Sequence, residues 1–274
     1  AYWHATRFLS GFASGGCFVL CSSIVLDTLA AIKRPVLAGV LYSGVGTGIA
    51  LGGLGSRPLL ATGGPDLAWV CLTFLCLPLA AAALLFLRPS VNKAPAPAAG
   101  AGAPGKAQHA RKGYGVLLAA YFLEGFGYII GTTFLVALVQ ATTQSPELAR
   151  ASWIITGCSA AISAPIWRYA ARGGYRPMLL LAFSLQAAGV FLPALSATTA
   201  AALAGGLLLG GTFMGITVLS LQYGVVLSGR SSAFTVAIMT AVYGVGQIIG
   251  PFVAVLTAQG AGFGPSFVIS GWAL

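Results

Sequence analysis

The sequence predicts an all-α, polytopic membrane helical bundle, and three observations carry that reading. Only 7% of the 274 residues are charged while 58% are hydrophobic, whereas a water-soluble domain needs about 25% charged residues to wet its surface. The apolar residues fall into long runs bounded by charge, Pro or Gly, with a mean hydropathy of +0.92. At ~20 residues per crossing plus a short loop, such a chain makes roughly nine spans. The runs are apolar all round. That excludes a transmembrane barrel, which alternates in twos, and leaves helices that satisfy their own backbone groups.

Taken in order, the expected spans are 3–26, 36–54, 67–87, 114–139, 151–167, 177–195, 200–226, 233–258 and a shorter run at 265–274. These amount to eight complete transmembrane helices and a truncated ninth. The chain has no initiator Met, and its first run lacks the basic leader and cleavage site of a signal peptide. It therefore reads as a fragment. Alternate loops divide the cations unevenly: eleven Lys and Arg, from Lys33 to Arg230, lie in one set, against Arg57 and Arg150 in the other. That bias puts the first loop, 27–35, in the cytosol and Ala1 outside. Residues 89–113 are rich in Pro, Ala and Gly, basic and without helical periodicity, as in a flexible cytosolic linker. The linker separates a unit at 1–88 from a unit at 114–274.

The net charge of +10 serves topology and the lipid surface rather than nucleic acid. Four carboxylates (Asp27, Asp66, Glu124, Glu147) and two histidines (His4, His109) are all the chain has for acid–base or metal chemistry. No metal site and no cofactor are expected. The five cysteines all lie in apolar runs without zinc-site spacing, as small packing residues do.

A weak repeat runs through the chain. Gly11, Gly15, Gly16 and Phe18 match Gly206, Gly210, Gly211 and Phe213 at an offset of 195, and Gly44-Val45-Gly46 matches Gly244-Val245-Gly246 at 200, each preceded by a tyrosine, Tyr42 or Tyr243. Parallel six-helix halves are one plan of secondary transporters. The chain resembles the major facilitator superfamily, and within it the YbfB/YjiJ-type branch. Residues 7–27 (RFLSGFASGGCFVLCSSIVLD), 39–53 (GVLYSGVGTGIALGG) and 121–135 (YFLEGFGYIIGTTFL) carry the likeness. The resemblance implies helices 4 to 12 of a twelve-helix carrier, with 1–88 holding helices 4 to 6 and 114–274 helices 7 to 12. It also implies a monomer in a bacterial inner membrane that moves a small organic solute by alternating access. Arg7 with Gly11 matches a helix 4 pattern that the family associates with proton coupling. The glycines from Gly48 to Gly53 resemble the helix 5 motif of the antiporter groups, without its proline, which points toward efflux. Residues 168–176 resemble the basic loop between helices 8 and 9, without its usual Asp.

Glu124 is the sharpest single residue. It lies ten residues into its span, where a carboxyl must face protein or a wet cavity. Tyr121, Glu124, Tyr128 and Thr132 share one helical face. Glu124 is expected to take a proton at the outer face and release it at the inner one, the alternative being a structural carboxyl hydrogen-bonded to a neighbouring helix. Arg7, the other charge within a span, is expected to bind an anionic substrate, to pair with Glu124 across a shared cavity or to hold a helix bend, the alternative being to snorkel to the outer headgroups. Gln222, Tyr223, Tyr243 and Gln247 are further cavity candidates. Gly44, Gly48 and Gly52, with Gly246, Gly250 and Pro251, form stripes of small residues suited to close helix packing or gating, and Gly11 is expected to serve the same purpose. An integral-membrane enzyme would need clustered carboxylates or a nucleophile with its base, and a channel would need rings of charge or a filter loop. Neither pattern is present in these residues.

Overall fold

In apolar surroundings each backbone group must bond within its own segment, and the chain answers with helices broken only at special residues. A computed structural model describes residues 2–86, 104–258 and 262–274. All regular elements among them are helical: α1 (Tyr2–Ala31), α2 (Ala38–Phe86), α3 (Pro104–Thr143), α4 (Pro146–Ala170), α5 (Tyr175–Leu195), α6 (Thr199–Ser228), α7 (Ser232–Ala258) and α8 (Gly264–Ala273). Among the described residues, six segments are long and apolar enough to cross a membrane, namely Tyr2–Ala31, Pro35–Leu85, Lys112–Thr143, Tyr175–Leu195, Thr199–Ser228 and Ser232–Ala258.

Local chemistry sets the helix ends. α1 stops at Lys33, whose backbone is left-handed (φ 56°); Arg34 N–H then reaches Leu29 O at 2.8 Å and Lys33 N–H reaches Ala30 O at 3.1 Å. This pairing closes the helix, and Pro35 follows where the helix cannot continue. Ser145 caps α4 by accepting from Leu148 N–H at 3.2 Å, with Pro146 and Glu147 in the first turn. Thr198 caps α6 in the same way from Ala201 N–H, and α6 ends on left-handed Gly229.

Two expectations change. The runs expected at 36–54 and 67–87 are arms of one element, α2, which breaks at Gly63 and Gly64 before Pro65. Gly64 (φ 68°) has a backbone that only glycine adopts cheaply. Of the linker expected at 89–113, residues 89–103 lie outside the described residues, while 104–113 are the opening turns of α3.

α6 is the central helix, buried without a break from Thr212 to Gln222. Its glycines admit its neighbours: Gly206 and Gly210 face Ser152, Thr156 and Ser159 of α4, and Gly205 faces Gly189 and Pro193 of α5. The Gly211 carbonyl accepts from both Ser163 Oγ (2.9 Å) and Trp167 Nε1 (2.7 Å). α2 packs antiparallel along α4, with Gly39 against Pro165, Gly46 against Ala160 and Ala161, Gly157 against Ala50, and Gly53 against Trp153 and Ile154.

That seam corrects the expected glycine stripe. Gly11, Gly44, Gly48 and Gly52 have no heavy atom within 4 Å of where a Cβ would stand, and Gly11, Gly44 and Gly48 are exposed. Positions seven apart hold a straight seam between two helices, whereas positions four apart drift around the helix. Gly39, Gly46 and Gly53 are seven apart. On α7, Gly246 lies against Phe122 and Phe126 of the parallel helix α3, and Gly250 against Phe126, Ile129 and Ile130. Pro251 follows within α7.

Candidate functional site

Glu124 sits midway along α3 with no solvent exposure. α3 turns it toward α5 and α6, and each of those helices supplies one polar side chain. Gln186 Nε2 donates to Glu124 Oε1 at 2.8 Å. Thr212 Oγ1 lies 3.0 Å from Gln186 Oε1 and 2.7 Å from Leu208 O of its own helix, so its single proton serves both acceptors. Gln186 is itself fully buried, while Glu124 Oε2 is buried and has no hydrogen-bond partner among the described residues. The result is a polar chain, Thr212 to Gln186 to Glu124, with one carboxyl oxygen held and the other without a partner among the described residues.

Aromatic rings close the same region. The Tyr121 and Tyr243 centroids are 4.7 Å apart, Tyr243 and Tyr128 are 6.1 Å apart, and Tyr128 stacks on Phe213 at 4.7 Å. Gly125 makes this possible, because its missing side chain lets the Tyr243 backbone lie directly against α3. Tyr42 of α2 joins the same core, with Phe18 edge-on at 5.9 Å and its buried hydroxyl without a partner among the described residues. Thr132 turns back to the Tyr128 carbonyl at 3.0 Å.

The other expected residues lie elsewhere. Arg7 does not pair with Glu124. Its exposed guanidinium lies 4.9 Å from the Trp3 ring and 5.1 Å from the Trp69 ring. Trp3 is one turn earlier on the same face of α1, and the second arm of α2 brings Trp69, so cation–π contact holds the charge at the helix end. Both ion pairs among the described residues use Glu147, with Arg57 at 3.1 Å and with Arg150. Gln222 is buried but donates to Pro35 O at 3.0 Å, far along α6 from Thr212. Tyr223 stacks on Tyr175 at 5.3 Å, and the Arg168 guanidinium lies over Tyr175. Gln247 is half-buried one turn beyond Tyr243.

Gln186, Thr212, Phe213 and Tyr42 were not among the residues singled out from the sequence for the site. Gln186 carried a usable signal, as a lone amide in an otherwise apolar span. Tyr42 and Tyr243 are the tyrosines of the internal repeat, and both belong to one core.

A bundle of apolar helices enclosing a single carboxyl defines an integral, multi-pass membrane protein. A family model described as "Uncharacterised MFS-type transporter YbfB" matches residues 1–274. The chain belongs to this family of the major facilitator superfamily, whose members are transporters rather than enzymes. No curated protein matches the chain.

Proposed function

We propose that the protein is a secondary active transporter that moves a small organic solute by alternating access, with Glu124 as its proton-coupling carboxyl. The observation that carries this reading is the state of Glu124: fully buried, held through Oε1 by Gln186, and without a partner at Oε2 among the described residues. A carboxyl at that depth is costly unless it works. Residues 1–88 and 114–274 belong to the two six-helix halves of a twelve-helix carrier in a bacterial inner membrane. The protein works as a monomer, and proton influx drives solute efflux. Contacts between the two halves support the rocking motion this requires. The α2–α4 glycine seam runs between them, and the Arg57–Glu147 pair and the Gln222–Pro35 hydrogen bond tie them at opposite ends.

The test reconstitutes the intact protein in liposomes and screens labelled amino acids, organic acids and aromatic amines under an imposed pH gradient. For any solute whose movement collapses with a protonophore, Glu124→Gln is expected to reduce gradient-driven transport to the rate of empty vesicles while solute exchange continues. Unchanged gradient-driven transport in that variant refutes the assignment.

A further inference from the structure

α3, α5 and α6 leave a slot at the end of the bundle that carries Arg168, Arg172, Arg176 and Arg230. Its volume is about 510 Å³, within the ~300–1,000 Å³ range of pockets that hold a small ligand. It exists because α3 presents small residues, Gly113, Val116 and Ala120, to the longer Leu179, Leu180 and Phe183 of α5. Leu117 and Leu179 are buried at its floor, each 6% exposed, while Val116 (71%) and Leu180 (70%) form open walls. The slot therefore opens sideways from the bundle rather than into its centre.

Its polarity is graded along its length. On α5, Arg176, Leu179, Leu180 and Phe183 fall at i, i+3, i+4 and i+7, one helical face with a cation at the helix start and apolar groups deeper. Among the described residues, Arg176 is the one charged residue in the lining, and no Asp or Glu accompanies it. Lys112 precedes Gly113 in the chain, and Arg230 follows three residues after Leu227, another lining residue. A ligand that fits has an anionic head at the membrane surface and an apolar tail running inward.

We propose that this slot is a specific site for one anionic phospholipid of the cytosolic leaflet, with its phosphate on Arg176 and an acyl chain between α3 and α5. The open walls and the graded polarity favour a lipid over a soluble anion, which would have no use for the apolar length. The tail ends at Ala120 and Phe183, about one helical turn of ~5 Å from the Glu124–Gln186 bond.

The test uses the intact protein in detergent, titrated with phosphatidylglycerol or phosphatidylcholine of identical chains, and counts retained lipid by native mass spectrometry. One phosphatidylglycerol should be retained about fivefold more strongly than phosphatidylcholine, the worth of one cation facing an anionic headgroup. Arg176→Gln should abolish that preference. Arg172→Gln, on a neighbouring turn but with its guanidinium over Tyr169 at 4.0 Å, should keep it. Ala120→Leu should displace the lipid whatever its headgroup. Arg176 is exposed, so its variant should fold even if the Ala120 variant does not. Equal retention of the two lipids, a preference that survives Arg176→Gln, an equal loss in Arg172→Gln, or displacement by free glycerol phosphate would each overturn the proposal.

Discussion

Glu124 shows how one side chain acquires a role from its neighbours. A carboxyl on a lone helix in lipid would have no partner, but here two other helices bring Gln186 and Thr212 into line with it. Gln186→Leu leaves the carboxyl without its donor and returns Thr212 to its own helix carbonyl. Removing one partner of a buried hydrogen bond costs about 1–3 kcal/mol. The loss should appear as a lower unfolding midpoint in detergent. In a double-mutant cycle with Glu124→Leu, the coupling between the two positions should be about 0.5–3 kcal/mol. Additive effects would show that the hydrogen bond contributes nothing to stability. Glu124 itself was legible in the sequence because a charge inside an apolar run is conspicuous. Gln186 stood out only as a lone amide in an apolar span and Thr212 not at all, and their pairing with Glu124 becomes visible only when α5 and α6 are known to face it.

Among the helices, the sharpest feature is the antiparallel seam between α2 and α4. Gly46 and Gly157 let backbone lie on backbone, so a side chain at either position meets main-chain atoms that cannot rotate away. Gly46→Val should destabilise the protein by about 1–3 kcal/mol, the usual range for overpacking. Gly44→Val, two residues away with nothing within 4 Å, should change stability by less than about 0.5 kcal/mol. Thermal unfolding of the two variants in the same detergent checks the contrast, and equal effects would refute the seam. Glycine content marked α2 as a packing helix, but which glycines pack depends on the angle at which α4 approaches. Nothing local to α2 records that angle.

The molecule as a whole has two chemically different ends. Lys33, Arg34, Arg172 and Arg230, with Arg168 in the last turn of α4 and Arg176 in the first turn of α5, lie at one end, while Arg57, Glu147 and Arg150 form the ion pairs at the other. The positive-inside bias then makes a topological prediction. In a cysteine-free background, Gln144→Cys, in the α3–α4 turn, should react with an impermeant maleimide added to intact cells. Ser231→Cys, between α6 and α7, should react only after the membrane is opened. The reverse pattern would invert the orientation.

The sequence alone determined that the chain is a helical membrane protein, roughly where its helices run, the family it belongs to, and that Glu124 is its one deeply placed carboxyl. The family follows from the likeness of particular stretches, and the other properties follow from hydropathy, helix-breaking residues and charge, which act locally or add up along the chain. Only the tertiary structure decided which side chains meet. It set Arg7 between Trp3 and Trp69 instead of opposite Glu124, moved the packing glycines to 39, 46 and 53, and joined Gln186 to Glu124 across 62 positions of sequence. The physical reason is that every face of a spanning helix is apolar. Hydrophobicity therefore drives the helices into the membrane without choosing their neighbours, and that choice rests on close van der Waals fit and a few interhelical hydrogen bonds.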